Sequence, residues 1–242
     1  MSCDGGATVT TAPDPTASDP TGPDGPGAAT TPKGRRTERA LLDAARTVFA
    51  EKGYLTAKIS DIASTAGRST GSFYNYYDSK QQLLEALLGE FAAQVLDETR
   101  RNLTPDPAVN VEQAVRAYWS SYRDYLPEMI GAFQLSMTDP QFAQWWRHRR
   151  SEGISAVLAV FRSAEATGVR IGLDKYLFAS AIVSMLESFC WTWFVTGGDE
   201  AVERSATSDS GRDEESAIMT LTEIWRRGLI NPAENDASPP NP

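Results

Sequence analysis

The sequence predicts an all-α protein: an N-terminal three-helix domain and a larger C-terminal helical bundle, with about nine helices in total. Two observations favour this fold class. Apolar residues recur every three or four positions over long stretches, the spacing of one helical face. Only four of the 14 prolines lie between residues 34 and 230, and each falls where such a pattern pauses. These are Pro105, Pro107, Pro127 and Pro140.

Both ends of the chain lack the large apolar side chains that a packed core needs. Residues 1–33 contain 6 Pro, 5 Gly and 7 Thr, and residues 231–242 contain 4 Pro. This composition predicts a disordered acidic tail over 1–33 and a disordered Pro-rich tail over 231–242. The folded part then extends from residue 34 to residue 230, long enough for one or two compact domains.

Charge is unevenly distributed along the chain. The formal net charge is −9, although residues 34–82 carry 8 basic and 5 acidic side chains. Nucleic-acid binding needs a surplus of Lys and Arg to neutralise phosphates. The acidic average argues against such binding by most of the chain and leaves this one basic segment as the place for it.

Cysteine usage and hydropathy favour a cytoplasmic protein. The two cysteines, Cys3 and Cys190, form no disulfide framework, which favours a reduced compartment. The N-terminus lacks the apolar run of a signal peptide. The most apolar later stretch, residues 188–195, is far shorter than the ~20 residues of a membrane span, so we predict no membrane contact.

The basic segment has the pattern of a helix-turn-helix unit. Residues 37–52 form an amphipathic first helix that Gly53 ends. Residues 59–66 and 70–76 form two short helices on either side of a turn at Gly67. Asp78 and Ser79 then begin a long fourth helix, in which Ser79 and Gln82 have the spacing of a capping box.

Five more helical patterns follow the fourth helix. A loop that we expect to be mobile, rich in Gly, Ser, Asp and Glu, separates the last two at residues 197–211. The predicted helices span residues 111–126, 128–137, 140–166, 173–195 and 212–228.

The stretch from Gly53 to Lys80 resembles the TetR family of bacterial transcriptional regulators. The similarity covers residues 36–84 and includes the glycine after helix one, an Ile-Ala pair, an Ala-Gly turn, a Gly-Ser-Phe-Tyr recognition helix and a Ser-Lys helix start. It implies a helix-turn-helix DNA-binding domain at 34–77 and a ligand-binding and dimerisation domain at 78–230. It further implies a homodimer that represses transcription from a palindromic operator in double-stranded DNA.

The resemblance also assigns DNA contacts. Thr70, Gly71, Ser72 and Asn75 would face the major groove, since short polar groups can reach base edges. Tyrosine hydroxyls, which we expect to be exposed at positions 74, 76 and 77, and the Lys80 ammonium suit phosphates. Lys33, Arg35 and Arg36 would form a flexible basic arm. The predicted contact set is Arg35, Arg36, Lys58, Ser60, Ser69, Thr70, Gly71, Ser72, Tyr74, Asn75, Tyr76 and Lys80.

Two positions depart from the usual pattern of the family. Lys58 stands where Thr or Ser is common, and Arg68 replaces an apolar residue of the turn. Both add positive charge near the DNA-binding face, which suits phosphate contact.

Aromatic residues beyond the fourth helix predict an effector cavity and a dimer interface. A cavity between helices would suit a bulky apolar or aromatic small molecule, with ordinary core packing as the alternative. Its candidate lining is Trp119, Tyr122, Phe133, Trp145, Trp146 and Phe189. The resemblance implies dimerisation through the last two helices, where Ala181, Ser184 and Ser188 would allow close approach and Ile218, Leu221 and Trp225 would add apolar contact; packing within one subunit is the alternative.

The sequence shows no catalytic apparatus, metal site or cofactor motif. The single histidine, His148, precedes Glu152 by four residues but lies in a basic cluster and lacks further ligands. We therefore predict that the protein is not an enzyme. Two alternatives stay open: an activator of the same architecture, and an all-α carrier or enzyme for a lipophilic molecule in which the N-terminal unit is only structural.

Overall fold

The computed structural model describes residues 31–197 and 213–229, and within these ranges the chain is all-α, as predicted. Residues 1–30 of the predicted acidic tail and the whole predicted Pro-rich tail at 231–242 lie outside the described residues. Of the predicted loop at 197–211, only the first residue is described. The helices are α1 (Pro32–Lys52), α2 (Ile59–Thr65), α3 (Thr70–Tyr74), α4 (Lys80–Arg101), α5 (Pro107–Asp124), α6 (Leu126–Thr138), α7 (Pro140–Ala166), α8 (Lys175–Phe194) and α9 (Glu214–Leu229).

Helix α1 begins five residues earlier than predicted. Pro32 occupies its first position, where a missing N–H costs nothing, and Thr31 Oγ1 accepts a hydrogen bond from the Gly34 N–H at 3.0 Å. The predicted flexible basic arm at Lys33, Arg35 and Arg36 is therefore the start of a helix. The N-cap signal was overlooked because the apolar periodicity begins only after the basic residues.

A Schellman motif makes the turn between α2 and α3. Gly67 has φ of 64°, the left-handed conformation that glycine adopts without strain. The Gly67 N–H donates to the Ser64 carbonyl and the Arg68 N–H to the Ala63 carbonyl, at 3.0 and 2.8 Å. The turn is thus held by backbone bonds, and the Arg68 side chain is exposed rather than packed.

Helix α4 joins the three N-terminal helices to the later helices. Ser79 Oγ accepts from the Gln82 N–H at 3.1 Å, while the Gln82 side chain accepts from the Asp78 N–H. The predicted capping box is thus present, but the Gln82 side chain accepts from the N–H of Asp78 rather than from the N–H of the N-cap residue, Ser79. The buried stripe of α4 contacts α1, α5 and α6, and it consists of Leu83, Leu84, Leu87, Leu88 and Phe91.

The second domain packs α5, α7, α8 and α9 around an apolar core. Phe161 of α7 and Phe178 of α8 stack with ring centroids 5.0 Å apart. Gly228 of α9 lies directly against the Phe178 ring, where no side chain would fit. The helices α8 and α9 are thus adjacent within the subunit.

Helix α8 is more apolar over its whole length than the predicted stretch at 188–195 indicated. Among the described residues it is the one helix that is long and apolar enough to cross a membrane by length and composition alone. A core helix of a globular domain meets the same criteria, and α8 contacts α5, α7 and α9.

Candidate nucleic-acid interface

Helix α3 presents a small polar surface that its buried face holds in place. Phe73 is completely buried and anchors the helix to the first domain. Thr70, Gly71 and Asn75 are exposed, and the Tyr74 side chain is 55% exposed. Small polar groups and one phenol hydroxyl therefore project together from one end of the molecule, as base-edge and phosphate contacts require.

Of the two serines predicted as DNA contacts at α3, Ser69 also caps the helix. Ser69 Oγ accepts from the Ser72 N–H at 3.1 Å, so Ser69 is the N-cap of α3. Ser69 stays exposed, whereas Ser72 is half-buried. The Ser72 side chain is therefore less accessible to a ligand than the side chain of Thr70.

The three neighbouring tyrosines differ in environment, and the expectation that all three are exposed was wrong. Tyr77 is only 5% exposed, its ring contacts Phe73, and its hydroxyl has no hydrogen-bond partner in the structure. Burial raises the pKa of Tyr77 well above its usual range. Tyr76 is half-buried against the core, which leaves Tyr74 as the accessible phenol.

Lys80 has a different role from the predicted phosphate contact. Its ammonium donates to the carbonyls of Tyr54 (2.6 Å), Leu55 (3.3 Å) and Ala57 (2.7 Å), which uses all three N–H groups. It also lies 4.5 Å from the centre of the Tyr54 ring, and burial lowers its pKa. Lys80 thus ties α4 to the segment between α1 and α2, a role that its place at a helix start did not reveal.

The other predicted contacts, and one further basic side chain, are exposed on α1, on α2 and in the turn before α3. Lys58 is exposed at the N-cap of α2, where its N–H donates to Asp61 at 3.2 Å, and Ser60 is exposed two residues later. Arg35 and Arg36 are exposed in the first turns of α1. Arg68, which the predicted contact set omitted, is exposed in the turn just before α3. The position of the turn in the sequence was the signal that could have added it.

The six predicted effector residues do not line one cavity, and this interpretation needs correction. Trp119 and Tyr122 are buried, with the Trp119 ring packed against Phe189, Trp193 and Phe194. Phe133 is 47% exposed and contacts Trp191 instead. Trp145 and Trp146 pack beside Phe142 on α7. The predicted set belongs to three separate aromatic clusters because helical spacing does not report which helices are neighbours.

A polar cleft of about 220 Å³ opens beside Trp119, between the end of α4, α5 and the start of α9. Its charged groups are paired: Arg116 with Glu112 and Glu215, and Arg123 with Glu214. These pairs lower the pKa of Glu215 and raise that of Arg116. The cleft therefore offers polar contacts at its rim and an indole at one wall.

The predicted dimer residues fall into two groups. Ala181, Ser184 and Ser188 are exposed on α8, as a contact surface requires. Ile218, Leu221 and Trp225 are buried within the subunit at 6%, 1% and 2% exposure, so their assignment to the interface was wrong. Leu177, one turn before Ala181 on α8, and Ile224 on α9 are exposed apolar residues of the same two helices.

His148 faces solvent. Its Nε2 lies 3.7 Å from Glu152, and the imidazole is 77% exposed. In the parts of the chain that the structure describes, no three His, Cys, Asp or Glu side chains are grouped as a metal site would need.

Comparison with known proteins agrees with these features. Residues 41–87 match the family model described as "Bacterial regulatory proteins, tetR family". The chain is 22% identical over 212 residues to the HTH-type transcriptional regulator EthR of Mycolicibacterium smegmatis, covering 82% of this chain and 92% of that protein. It is 47% identical over 58 residues to the HTH-type transcriptional repressor KstR2 of Rhodococcus jostii, covering 24% and 28% of the two chains.

Solved structures share the fold. A putative TetR-family transcriptional regulator from Syntrophomonas wolfei superposes with a TM-score of 0.65 at 18% identity, over 81% of this chain and 95% of that one. The relatives are transcriptional regulators rather than enzymes. Residues 41–87 therefore match the DNA-binding domain of the TetR family, and over most of its length the chain is similar to TetR-family transcriptional regulators.

Proposed function

We propose that this regulator is a cytoplasmic repressor that binds a palindromic operator as a homodimer and leaves it when a small molecule binds. The observation that carries the DNA contact is the α3 surface, where Thr70, Gly71 and Asn75 project from a helix anchored by buried Phe73. The name of the Rhodococcus jostii relative, a repressor with 47% identity over 58 residues, supports repression.

The exposed face of α8 supports dimerisation. Leu177, Ala181, Ser184 and Ser188 follow the three-and-four spacing of one helical face, and all are exposed. Leu177 directly precedes Phe178, whose ring contacts Gly228 of α9. Ile224, which is exposed, lies one turn before Gly228 on α9. Small residues flanked by Leu and Ile suit close packing against a second copy, and two-fold symmetry would present two α3 helices to one operator.

The effector site proposed here is smaller than the predicted set. Trp119 both borders the polar cleft and contacts three rings of α8. An aromatic or bulky apolar body inserted beside Trp119 would displace those rings, while a polar group could reach Arg116 or Arg123 at the rim. The test is a screen for compounds of this kind that release the protein from operator DNA. We expect the Trp119→Ala variant to keep its DNA binding and to lose its response to these compounds.

Helix α6 provides a physical connection between the proposed sites. Gly131 packs on Tyr54 of the DNA-binding domain, and Phe133 contacts Trp191 of α8 with ring centroids 4.1 Å apart. A displacement of α8 by an effector or by the second subunit would therefore reach the DNA-binding domain through α6. Such a connection would let two sites bias one element that has two positions, as allostery requires.

The first test is selection of fragments of the source genome on the purified protein, followed by affinity measurements against salt concentration. We expect enrichment of a short palindrome and a steep loss of affinity with salt, because several phosphates are neutralised at once. Failure to enrich any sequence at low salt, with protein shown by mass spectrometry to be free of bound small molecules, would contradict the proposal.

A promoter fusion separates a repressor from an activator. Deleting the regulator should raise expression from the selected promoter if it represses, and lower it if it activates. A carrier with a purely structural N-terminal unit would give no change in either direction.

A further inference from the structure

Glu128 of α6 is a buried carboxyl group at the contact between the two domains. Its side chain is 1% exposed, and neither carboxylate oxygen has a hydrogen bond to any other residue in the structure. An ionised carboxylate without hydrogen bonds is costly to bury, whereas a neutral acid is tolerated far more easily. The observed geometry therefore suits the protonated form.

Arg46 of α1 faces Glu128 without bonding to it closely. The Arg46 Nε lies 3.7 Å from Glu128 Oε1, while its Nη2 donates to the Asp124 carbonyl at 2.8 Å. The guanidinium also lies 4.2 Å from the centre of the Tyr125 ring. Arg46 is thus shared between the α5–α6 junction and Glu128, with which it forms an ion pair without a hydrogen bond.

The other charged neighbours do not compensate for burial. Glu90 of α4 repels an ionised Glu128, and Glu90 itself is paired with Arg39 of α1 at 2.9 Å. The Asp124 carboxylate accepts from Gln94 at 3.3 Å. Burial, opposed by the Glu128 backbone N–H and by Arg46 and reinforced by Glu90, raises the pKa of Glu128 to about 7.

We propose that Glu128 is a positioning residue: its protonation holds the DNA-binding domain against α6, and its ionisation loosens that contact and weakens DNA binding. An ionised Glu128 needs water or a new donor, so it favours arrangements in which α1 and α6 have moved apart. When the DNA-binding domain is held less firmly against α6, it loses more conformational entropy as the two recognition helices of a dimer bind one operator. This entropy loss lowers the affinity for DNA. The DNA part of this inference rests on the proposed function; the domain contact does not.

The sign follows from proton linkage. The pKa of Glu128 is higher in the folded arrangement than in the unfolded chain, so the folded state binds the extra proton. Its stabilising contribution is complete below the ordinary carboxyl range and is lost as pH rises through about 7. The single histidine of the sequence, His148, lies exposed on α7 and is not among the groups that shift the pKa of Glu128.

Amide hydrogen exchange of the full chain without DNA tests the domain contact directly. After correction for intrinsic rates, protection of the facing amides of α1 and α6 should fall about five-fold between pH 6 and pH 8, within the limit of ten-fold per pH unit for one proton. The fall should be absent in Glu128→Gln, which mimics the neutral acid, and unchanged in His148→Asn. Protection in Glu128→Gln that falls as in the parent chain would overturn the proposal.

A second variant guards against a fold defect in the first. Arg46→Met removes the cation that favours ionisation, so the midpoint of the protection loss should move to higher pH. An unmoved midpoint would contradict the role of Glu128. Affinity for the selected DNA fragment, measured at constant ionic strength, should fall about three-fold or more over the same pH range in the parent and stay level in Glu128→Gln. If amide protection depends on pH as expected but the protein binds no DNA, only the proposed function is refuted.

Discussion

Gly131 of α6 and Tyr54 of the DNA-binding domain pack so closely that only glycine fits. A Cβ atom added to Gly131 would lie 2.8 Å from the Tyr54 Cβ. Tyr54 is 5% exposed, and on other sides it contacts the Phe49 ring at 5.4 Å and the Lys80 ammonium. Its position is therefore shared between α1, α4 and α6, the three helices through which the domains meet.

Gly131→Ala should disturb this contact while leaving each domain folded. The methyl group has no flexible side-chain tip to displace, so α6 or the Tyr54 segment must shift, at a cost of about 1–3 kcal/mol. Thermal unfolding and operator affinity measure the effect, and both should decrease. Gly153→Ala, on α7 with nothing within 4 Å of the added atom, is the matched control and should be neutral or stabilising. Equal behaviour of the two variants would refute close packing at Gly131.

Lys80→Met separates a structural lysine from a phosphate-binding one. It leaves the carbonyls of Tyr54, Leu55 and Ala57 without their shared donor, and a loss of about 2 kcal/mol of folding stability is expected. Because the Lys80 ammonium is already bonded to three carbonyls, we expect the salt dependence of operator affinity to keep its slope. Lys58→Met, at an exposed position, should show the reverse: unchanged stability and a slope reduced by about one. A reduced slope in Lys80→Met would return Lys80 to the DNA contact set.

The contrast between these lysines shows what the sequence could and could not predict. Apolar periodicity, Gly53, Gly67 and the Ser79 cap identified the helices of the first domain, since these signals are local. The direction of Lys80 depends on a turn more than twenty residues earlier, which no local pattern reports. Local patterns also could not place Trp225, because its helical face is apolar whether the neighbour is α5 or a second subunit. For the same reason they could not show that the predicted effector residues divide into three aromatic clusters.

Tyr74→Phe and Tyr77→Phe form a matched pair three residues apart. Tyr74 is 55% exposed and its hydroxyl is available to a phosphate, so its removal should weaken operator binding about five-fold with little change in stability. The Tyr77 hydroxyl is buried without a partner, so its removal should leave DNA affinity unchanged and stabilise the fold by up to about 1 kcal/mol. Urea unfolding and fluorescence anisotropy with labelled operator provide the two measurements. Destabilisation by Tyr77→Phe would show that its hydroxyl has a partner, such as an ordered water.

Leu177→Asp tests the proposed dimer face at its most accessible apolar residue. The side chain is 73% exposed in the subunit, so the change should not destabilise the monomer. A carboxylate buried against a second copy would be unpaired, and dissociation at micromolar concentration is expected by light scattering. Operator affinity should fall with it, because one α3 helix reads too few base pairs. Met137→Asp, at 71% exposure on α6 outside the α8 stripe, is the control and should leave the dimer intact. A dimer that survives Leu177→Asp but not Met137→Asp would move the interface from α8 to α6.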